Sequence, residues 1–202
     1  MKNHDSSEHN LLYNAEYVLS LYARGYFPMG DEEGSVDWYY PKIRTIIPLD
    51  KYNIPRSFRK SVSKLNFEIR IDTQTISVVR ACAERSKTWI SEDIIEAYIR
   101  LKKIDHVHSV ETWSNNHLVG GLYGINYHGA FFGESMFSRV PQASKFALMK
   151  LLEHLNNKKF ILLDVQFMTE HLKMFGAKEI TLEEYNLLLQ LSNKQELLLL
   201  HQ

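Results

Sequence analysis

Apolar positions recur with a period of two along some stretches of the chain and near 3.6 along others, which divides it into strands and helices. Tyr17, Val18, Leu21 and Tyr22 share one face of a helix predicted over Asn14 to Arg24, with Asn14 as its cap and Gly25 as its stop. Phe27-Pro28-Met29-Gly30 breaks that pattern. An acidic loop containing Asp31, Glu32, Glu33 and Asp37 follows and ends in Trp38-Tyr39-Tyr40-Pro41. Arg44 to Leu49 reads as a short strand, and Pro55 opens a helix running to about Lys64. Phe67, Ile69 and Ile71 alternate with Glu68, Arg70 and Asp72, as in a half-buried strand. Thr73 to Arg85 and Ser91 to Lys103 are helices, the second capped by Ser91 with Glu92 and Asp93 at the positive end of its dipole.

Three strands are expected next, over Val107 to Trp113, Leu118 to Tyr127 and Ala130 to Phe137. Gln142 to Asn156 is amphipathic, Phe160 to Gln166 is a strand of the buried type, and a helix from about Thr169 ends near Gly176. Thr181 with Glu184 spells a capping box for the last helix. The chain shows no internal repeat. The order of elements is an α+β pattern. The expected divisions are a disordered N-terminus over 1–10, a small N-terminal domain over 11–65, a catalytic domain over 66–192 and a C-terminal tail over 193–202.

Composition narrows the partners. Lys plus Arg and Asp plus Glu both number 24 in 202 residues, a formal net charge of +0. Proteins that bind nucleic acid along long stretches are basic overall, because phosphate neutralisation supplies most of the affinity. Any RNA contact here is therefore local. The single cysteine, Cys82, excludes an internal disulfide, fits a reducing compartment, and sits in the apolar helical pattern of Val78, Val79 and Ala81 as a core residue. Met1 to Asn10 lacks the apolar centre of a signal peptide, and no apolar run reaches the roughly 20 residues that cross a bilayer. A cytoplasmic location without membrane contact is expected.

Three stretches carry candidate chemistry. Strand alternation places Phe132, Glu134 and Met136 on one face, and a carboxylate between apolar groups is costly unless paired or working. Glu134 is either paired with a structural arginine such as Arg139, or functional. Asp164 and Gln166 share a face near the end of an apolar strand, a common location for ligand-binding groups. Asp164 as a cap for the following turn is the alternative. The basic stretch from Lys42 to Arg70 includes Arg44 and Arg70, and holds Arg56, Arg59, Lys60 and Lys64 within about a helical turn of one another. That is a workable phosphate-facing surface or simply a solvated face. His106 and His108 share a strand face, but spacing supplies no third ligand, and no metal site is expected. Gly120-Gly121-Leu122-Tyr123-Gly124 lacks the ending of a phosphate-binding P-loop and fits a bulge or a close backbone approach.

Several segments, in order, resemble the leucyl/phenylalanyl-tRNA–protein transferase family. They are Arg24-Gly25-Tyr26-Phe27-Pro28, Thr88-Trp89-Ile90, His106 to Glu111, Val119 to Gly124, Phe132 to Arg139, Ala143-Ser144-Lys145 and Leu163 to Gln166. The resemblance implies an acetyltransferase-like (GNAT-like) catalytic domain with a mixed, largely antiparallel sheet, using neither coenzyme A nor another cofactor. It implies transfer of Leu or Phe, with Met a further candidate, from aminoacyl-tRNA to the N-terminal α-amine of acceptor proteins starting with Arg or Lys, which marks them for degradation. The positions matching the family's aminoacyl pocket are Leu122, Phe132, Met136, Leu148, Leu151 and Leu163, all apolar. Trp89 matches a tryptophan used around the terminal adenosine, where ring stacking is worth roughly 1–3 kcal/mol. After Phe27-Pro28 many members carry a second tryptophan where this chain has Met29; Trp38 or Tyr39 could supply that ring instead.

The matching catalytic positions are Asp164, Gln166 and Glu134. On this reading the Gln166 side-chain oxygen aims the incoming amine, Asp164 orients the site, and Glu134 with Asp164 attracts a basic acceptor residue. The rival readings are an acyl-CoA-dependent N-acyltransferase, a non-catalytic RNA-binding module, and the same reaction with other aminoacyl groups or acidic acceptor N-termini.

Overall fold

The computed structural model describes residues 12, 14–30, 36–85, 88–197 and 199. The expected disordered segment 1–10, the loop residues Asp31, Glu32 and Glu33, and the end of the tail lie outside them. The elements run α1 (Ala15–Tyr22), β1 (Phe27–Gly30), β2 (Val36–Tyr39), β3 (Ile43–Ile46), α2 (Arg56–Val62), β4 (Glu68–Ile71), α3 (Thr75–Ala83) and α4 (Glu92–Lys103). After these come β5 (Val107–Ser114), β6 (His117–Tyr127), β7 (Ala130–Ser138), α5 (Ala143–Asn157), β8 (Leu162–Gln166), α6 (Glu170–Lys173), β9 (Lys178–Thr181) and α7 (Leu182–Ser192).

The helix ends follow the capping chemistry read from the chain. Asn14 Oδ1 accepts the Tyr17 N–H at 3.0 Å, Ser91 Oγ accepts that of Ile94 at 3.4 Å, and Thr181 with Glu184 forms the full capping box. Gly25, at φ 86°, turns the chain out of α1. α2 ends at Val62, so Lys64 lies beyond the helix expected to carry it.

Strands β1 and β2 form an antiparallel pair, with Phe27 opposite Tyr39 and Pro28 opposite Trp38, where the sequence pattern suggested irregular chain. β1 carries Pro28 and Gly30, which break a strand pattern, and β2 continues directly from the acidic stretch, so neither registers as a strand. Pro28 is tolerated because a two-stranded sheet leaves each strand a free edge. The other strands form one sheet in the order β4-β5-β6-β7-β8-β3-β9, in which only β7 and β8 run parallel. This is the expected α+β class with a mixed, mostly antiparallel sheet. β9 was not legible as a strand, and β3 enters this sheet between β8 and β9 although it precedes both by over a hundred residues in the chain.

Successive residues of the central strands enter different cores. Tyr123, Phe132 and Leu162 join one cluster with α1, α3, α4 and α7, whereas Leu122, Phe131 and Leu163 join another with α2 and α5. The clusters therefore lie on opposite faces of the sheet.

Two irregularities open the central strands. Tyr123 pairs with Ser135 and Gly124 with Gly133, so Glu134 is an extra residue on β7, a β-bulge. The bulge shifts the alternation: Phe132 packs in the first cluster, while Met136 packs against the second. The expected single face for Phe132, Glu134 and Met136 is thus corrected by one unpaired residue. The second irregularity is that β7 and β8 pair only over Ala130–Phe132 and Leu162–Asp164, then separate. Gly124 is required at the bulge, since a Cβ there would meet the Phe132 carbonyl and the Phe131 ring.

Gly124→Ala forces these strands apart, and overpacking of this kind costs about 1–3 kcal/mol. Urea unfolding should show a lower midpoint by a corresponding amount with an unchanged m-value.

Candidate active site

The separation of β7 from β8 leaves a recess of about 410 Å³. Leu122, Met136, Leu148, Leu151 and Leu163 line it, and so do Trp89, Glu134 and Val165. Its walls are thus mostly apolar, with Arg85, Glu134, Ser135, Thr169 and His171 as the polar groups, a common composition for a small-molecule pocket. Phe132, expected in this lining, is turned by the bulge to the other face, where its ring lies 5.2 Å from that of Tyr22. The other five expected pocket positions meet around one space.

Glu134, 8% exposed, accepts hydrogen bonds from Tyr22 Oη at 3.0 Å, Tyr98 Oη at 2.9 Å and Gln166 Nε2 at 3.1 Å. Arg139, considered above as its partner, pairs with Glu84 at 3.3 Å instead. Burial pushes the Glu134 carboxyl up to about 8; Asp164 nearby adds to the rise, and the donated bonds hold it back. Burial also raises the Tyr22 and Tyr98 phenols well above their usual value, so both remain protonated donors near neutrality.

Asp164 and Arg44 are both fully buried and paired through Oδ2 and Nη2. Tyr185 Oη donates to the same carboxylate oxygen at 2.8 Å, and Arg44 Nη1 donates to the Gly25 carbonyl. The Arg44 guanidinium also lies 4.0 Å from the centre of the Tyr185 ring. Arg44, read in the sequence as part of a basic stretch, is therefore an internal counter-ion. The second Asp164 oxygen accepts the Gln166 N–H at 2.9 Å, so the carboxylate also serves as the turn cap considered above. Gln166 takes φ 62°, a left-handed conformation uncommon for a residue with a Cβ, and this bond helps hold it there. With Nε2 committed to Glu134, the acceptor of the amide is Oε1.

Sequence reasoning missed Tyr22, Tyr98, Tyr185 and the role of Arg44. Tyr22 and Tyr98 lie on buried helix faces, where their rings read as core and their hydroxyls give no signal. Trp89 lines the recess and packs with Met29 against the first core. Trp38 meets Tyr22 edge-on at 6.0 Å and Tyr39 stacks on Phe27, so both rings have intramolecular neighbours. Arg56, Arg59, Lys60 and Lys64 are exposed, with Arg59 paired to Glu153 at 3.0 Å. His108 is buried and bonds Asp72 through Nδ1, and His106 bonds the Asn126 carbonyl at 2.8 Å. Asp72, Asp105 and His108 bring ligand-type atoms within 4.8 Å of one another, but Lys102 Nζ stands 3.3 Å from Asp72 and supplies the positive charge. Cys82 is buried and its thiol is pushed up to about 12, so it is not a nucleophile near neutrality.

An apolar recess with a buried carboxyl at its wall and an amide bonded to that carboxyl can hold an apolar group beside polar chemistry, and the comparisons with known proteins name the family in which this chain stands. The leucyl/phenylalanyl-tRNA protein transferase model matches residues 46–190, and the model of its N-terminal domain matches residues 13–42. Proteins called leucyl/phenylalanyl-tRNA–protein transferase share 48% identity in Phenylobacterium zucineum, covering 86% of this chain and 81% of theirs. The relative from Gloeothece citriformis shares 41% over 93% of this chain and 100% of its own. That from Gloeobacter violaceus shares 47% over 84% and 89%. The chain belongs to the leucyl/phenylalanyl-tRNA–protein transferase family and is an aminoacyl-tRNA transferase enzyme.

The raised Glu134 pKa has a sign in stability. An acid whose folded pKa lies above its unfolded value near 4.5 retains a proton in the fold that the unfolded chain has lost. Its contribution is full below the unfolded pKa and is lost as pH rises toward about 8, by at most roughly 1.4 kcal/mol per pH unit. Glu134→Gln removes this loss. Urea unfolding at pH 5 and pH 8.5 should therefore show the variant gaining on the wild type at the higher pH; a constant difference would contradict the assignment.

Proposed function

We propose that this protein transfers Leu or Phe, and by the same recess Met, from aminoacyl-tRNA to the N-terminal α-amine of acceptor proteins beginning with Arg or Lys, creating a degradation signal in the cytoplasm. The observation that carries this reading is one apolar recess lined by Glu134, whose carboxyl is held by the buried Gln166 amide behind it. Among the described residues no helix is long and apolar enough to cross a membrane. We also read the catalytic part as acetyltransferase-like, with the strand separation used for an aminoacyl group instead of coenzyme A, and the chain as a small N-terminal domain over 11–65 whose β3 and α2 pack into the catalytic sheet and its core.

The side chain of the donor amino acid enters among Leu122, Met136, Leu148, Leu151 and Leu163. Such a recess rejects charged side chains more strongly than it separates apolar ones, where a methylene is worth about 1–3 kcal/mol. Trp89 stacks on the terminal adenosine, with Met29 behind it. Arg56, Arg59, Lys60 and Lys64 contact phosphates of the tRNA body.

The donor ester is already activated, and the nucleophile is an α-amine with pKa near 8, so roughly a tenth is free base at neutrality. Deprotonation therefore costs little over 1 kcal/mol, whereas alignment contributes about 7–11 kcal/mol in favourable cases. The site is mainly an aligning device. Gln166 Oε1 accepts a hydrogen bond from the amine and directs its lone pair at the ester carbonyl carbon. The new carbon–nitrogen bond forms, the carbon–oxygen bond to the ribose breaks, and the proton passes to the departing ribose oxygen. Asp164, neutralised by Arg44, acts as a positioning residue through the Gln166 N–H. Glu134 faces the acceptor: a guanidinium or ammonium arriving beside it favours the carboxylate and offsets the burial that raises its pKa.

The test is to incubate the purified protein with tRNAs charged separately with labelled Leu, Phe, Met and Arg, and with peptides beginning with Arg, Lys, Asp or Glu. Leu and Phe should appear on the Arg and Lys peptides, and transfer of Arg or labelling of acidic peptides would overturn the specificity. Gln166→Ala should slow single-turnover transfer roughly 10- to 100-fold with little loss of donor binding, since one aligning hydrogen bond is worth about 1–3 kcal/mol. Glu134→Gln should weaken use of the basic peptides more than use of a peptide with a neutral N-terminal residue.

A further inference from the structure

Beside the recess lies a second, open groove of about 790 Å³, and the two share Arg85, Met136 and His171. Its lining carries the cations Arg85, Arg139 and Lys145 against a single carboxylate, Glu84. In a chain with equal numbers of acidic and basic residues, this is a local concentration of positive charge. Arg85 is fixed at the boundary, donating through Nη2 to the Met136 carbonyl. Arg139 pairs with Glu84 at 3.3 Å, but both side chains are more than half exposed, so the pair is weak and open to exchange for a stronger anion.

The groove also receives the first turn of α5, since Gln142, Ser144 and Lys145 line it. Gln142 takes φ 73° and does not cap the helix with its side chain; the Ser144 N–H goes to Ser138 Oγ at 2.9 Å. The positive end of a 15-residue helix therefore adds to the three cations. His171 contributes a buried Nε2 without a hydrogen-bond partner among the described residues, and its pKa is lowered by burial and then by Lys145.

We propose that this groove holds the phosphodiester immediately preceding the terminal adenosine of the aminoacyl-tRNA, with Arg139, Lys145 and the α5 N-terminus as its ligands and Arg85 at the junction. The inference rests on the proposed transfer reaction and adds to it a site distinct from the exposed cations of α2. The esterified ribose stands between the amino acid and that phosphate, and the groove adjoins the recess along their shared wall. With the side chain in the recess and the ribose at the wall, the phosphate falls in the groove. An acceptor peptide with a basic N-terminus is the poorer occupant, because Arg85, Arg139 and Lys145 repel it.

The experiment compares wild type, Arg139→Gln, Lys145→Gln and the distant surface variant Lys194→Gln as binders of a labelled CCA trinucleotide and of adenosine, across a salt series. Each groove variant should lower CCA affinity relative to adenosine affinity about tenfold, and flatten the salt dependence by about 0.7 in log–log slope per lost phosphate contact. Lys194→Gln should match wild type. CCA binding unchanged in both groove variants overturns the proposal, and so does an equal loss for CCA and adenosine, which would mean a damaged recess. A groove variant that changes the KM for acceptor peptide and not for donor assigns the groove to the acceptor and overturns it as well. Wild type that binds CCA through these residues yet transfers no amino acid to any acceptor sinks the transfer reading and leaves this site standing.

Discussion

Adjacent strands normally remain paired along their common length, because each buried backbone donor and acceptor left alone carries a desolvation cost. β7 and β8 pair only over Ala130–Phe132 and Leu162–Asp164, although β7 continues to Ser138. Beyond that point the two strands lead to different partners: β7 remains with β6, and β8 joins β3. The recess is the space this separation leaves in the middle of the sheet. The bulge at Glu134 stands at the same level: its carboxyl meets Tyr22 and Tyr98 on the side of Phe132, and beyond it Met136 turns to the other face and lines the recess.

Polar groups are kept in such a place mostly by partners, although Arg44 Nε and Tyr123 Oη are buried without one among the described residues. Arg44 neutralises Asp164, and aromatic rings of Tyr185 and Phe27 flank the guanidinium. Glu134 is held by two phenols and the Gln166 amide. A buried pair of this kind is weak evidence for added stability, but it leaves little freedom in how β3, β8 and α7 can meet. That rigidity suits the proposed reaction, in which alignment outweighs acid–base chemistry. It also ties Gln166, at its left-handed backbone, to the body of the sheet and not to a mobile loop.

The parts of this architecture legible in the chain are those with local signals. Asn14, Ser91 and the Thr181–Glu184 box announced helix starts, and the alternation over Val107–Phe137 announced three paired strands. Strands β1, β2 and β9 give no local signal: Pro28 and Gly30 interrupt β1, Asp37 of β2 reads with the acidic stretch before it, and Ile180 is the one apolar residue of β9. The bulge was invisible because it is a property of pairing: nothing in Phe132-Gly133-Glu134-Ser135-Met136 says which residue will lack a partner. The Glu134 partners Tyr22 and Tyr98 lie 112 and 36 residues away, and Arg44 is 120 residues from Asp164. Arg44 was consequently read with its basic neighbours. Glu134, Asp164 and Gln166 were recognised through the family's ordered motifs; composition and periodicity alone left structural alternatives open for each carboxylate.

The central claim is that the gap between β7 and β8 receives the donor's amino acid side chain. A crystal structure with a non-hydrolysable phenylalanyl-adenosine tests it most directly. The account predicts the phenyl ring among Leu122, Met136, Leu148, Leu151 and Leu163, with the carbonyl carbon facing Gln166 Oε1 and the adenine against Trp89. A ring bound elsewhere, with the recess unchanged or closed by Met136, would contradict it.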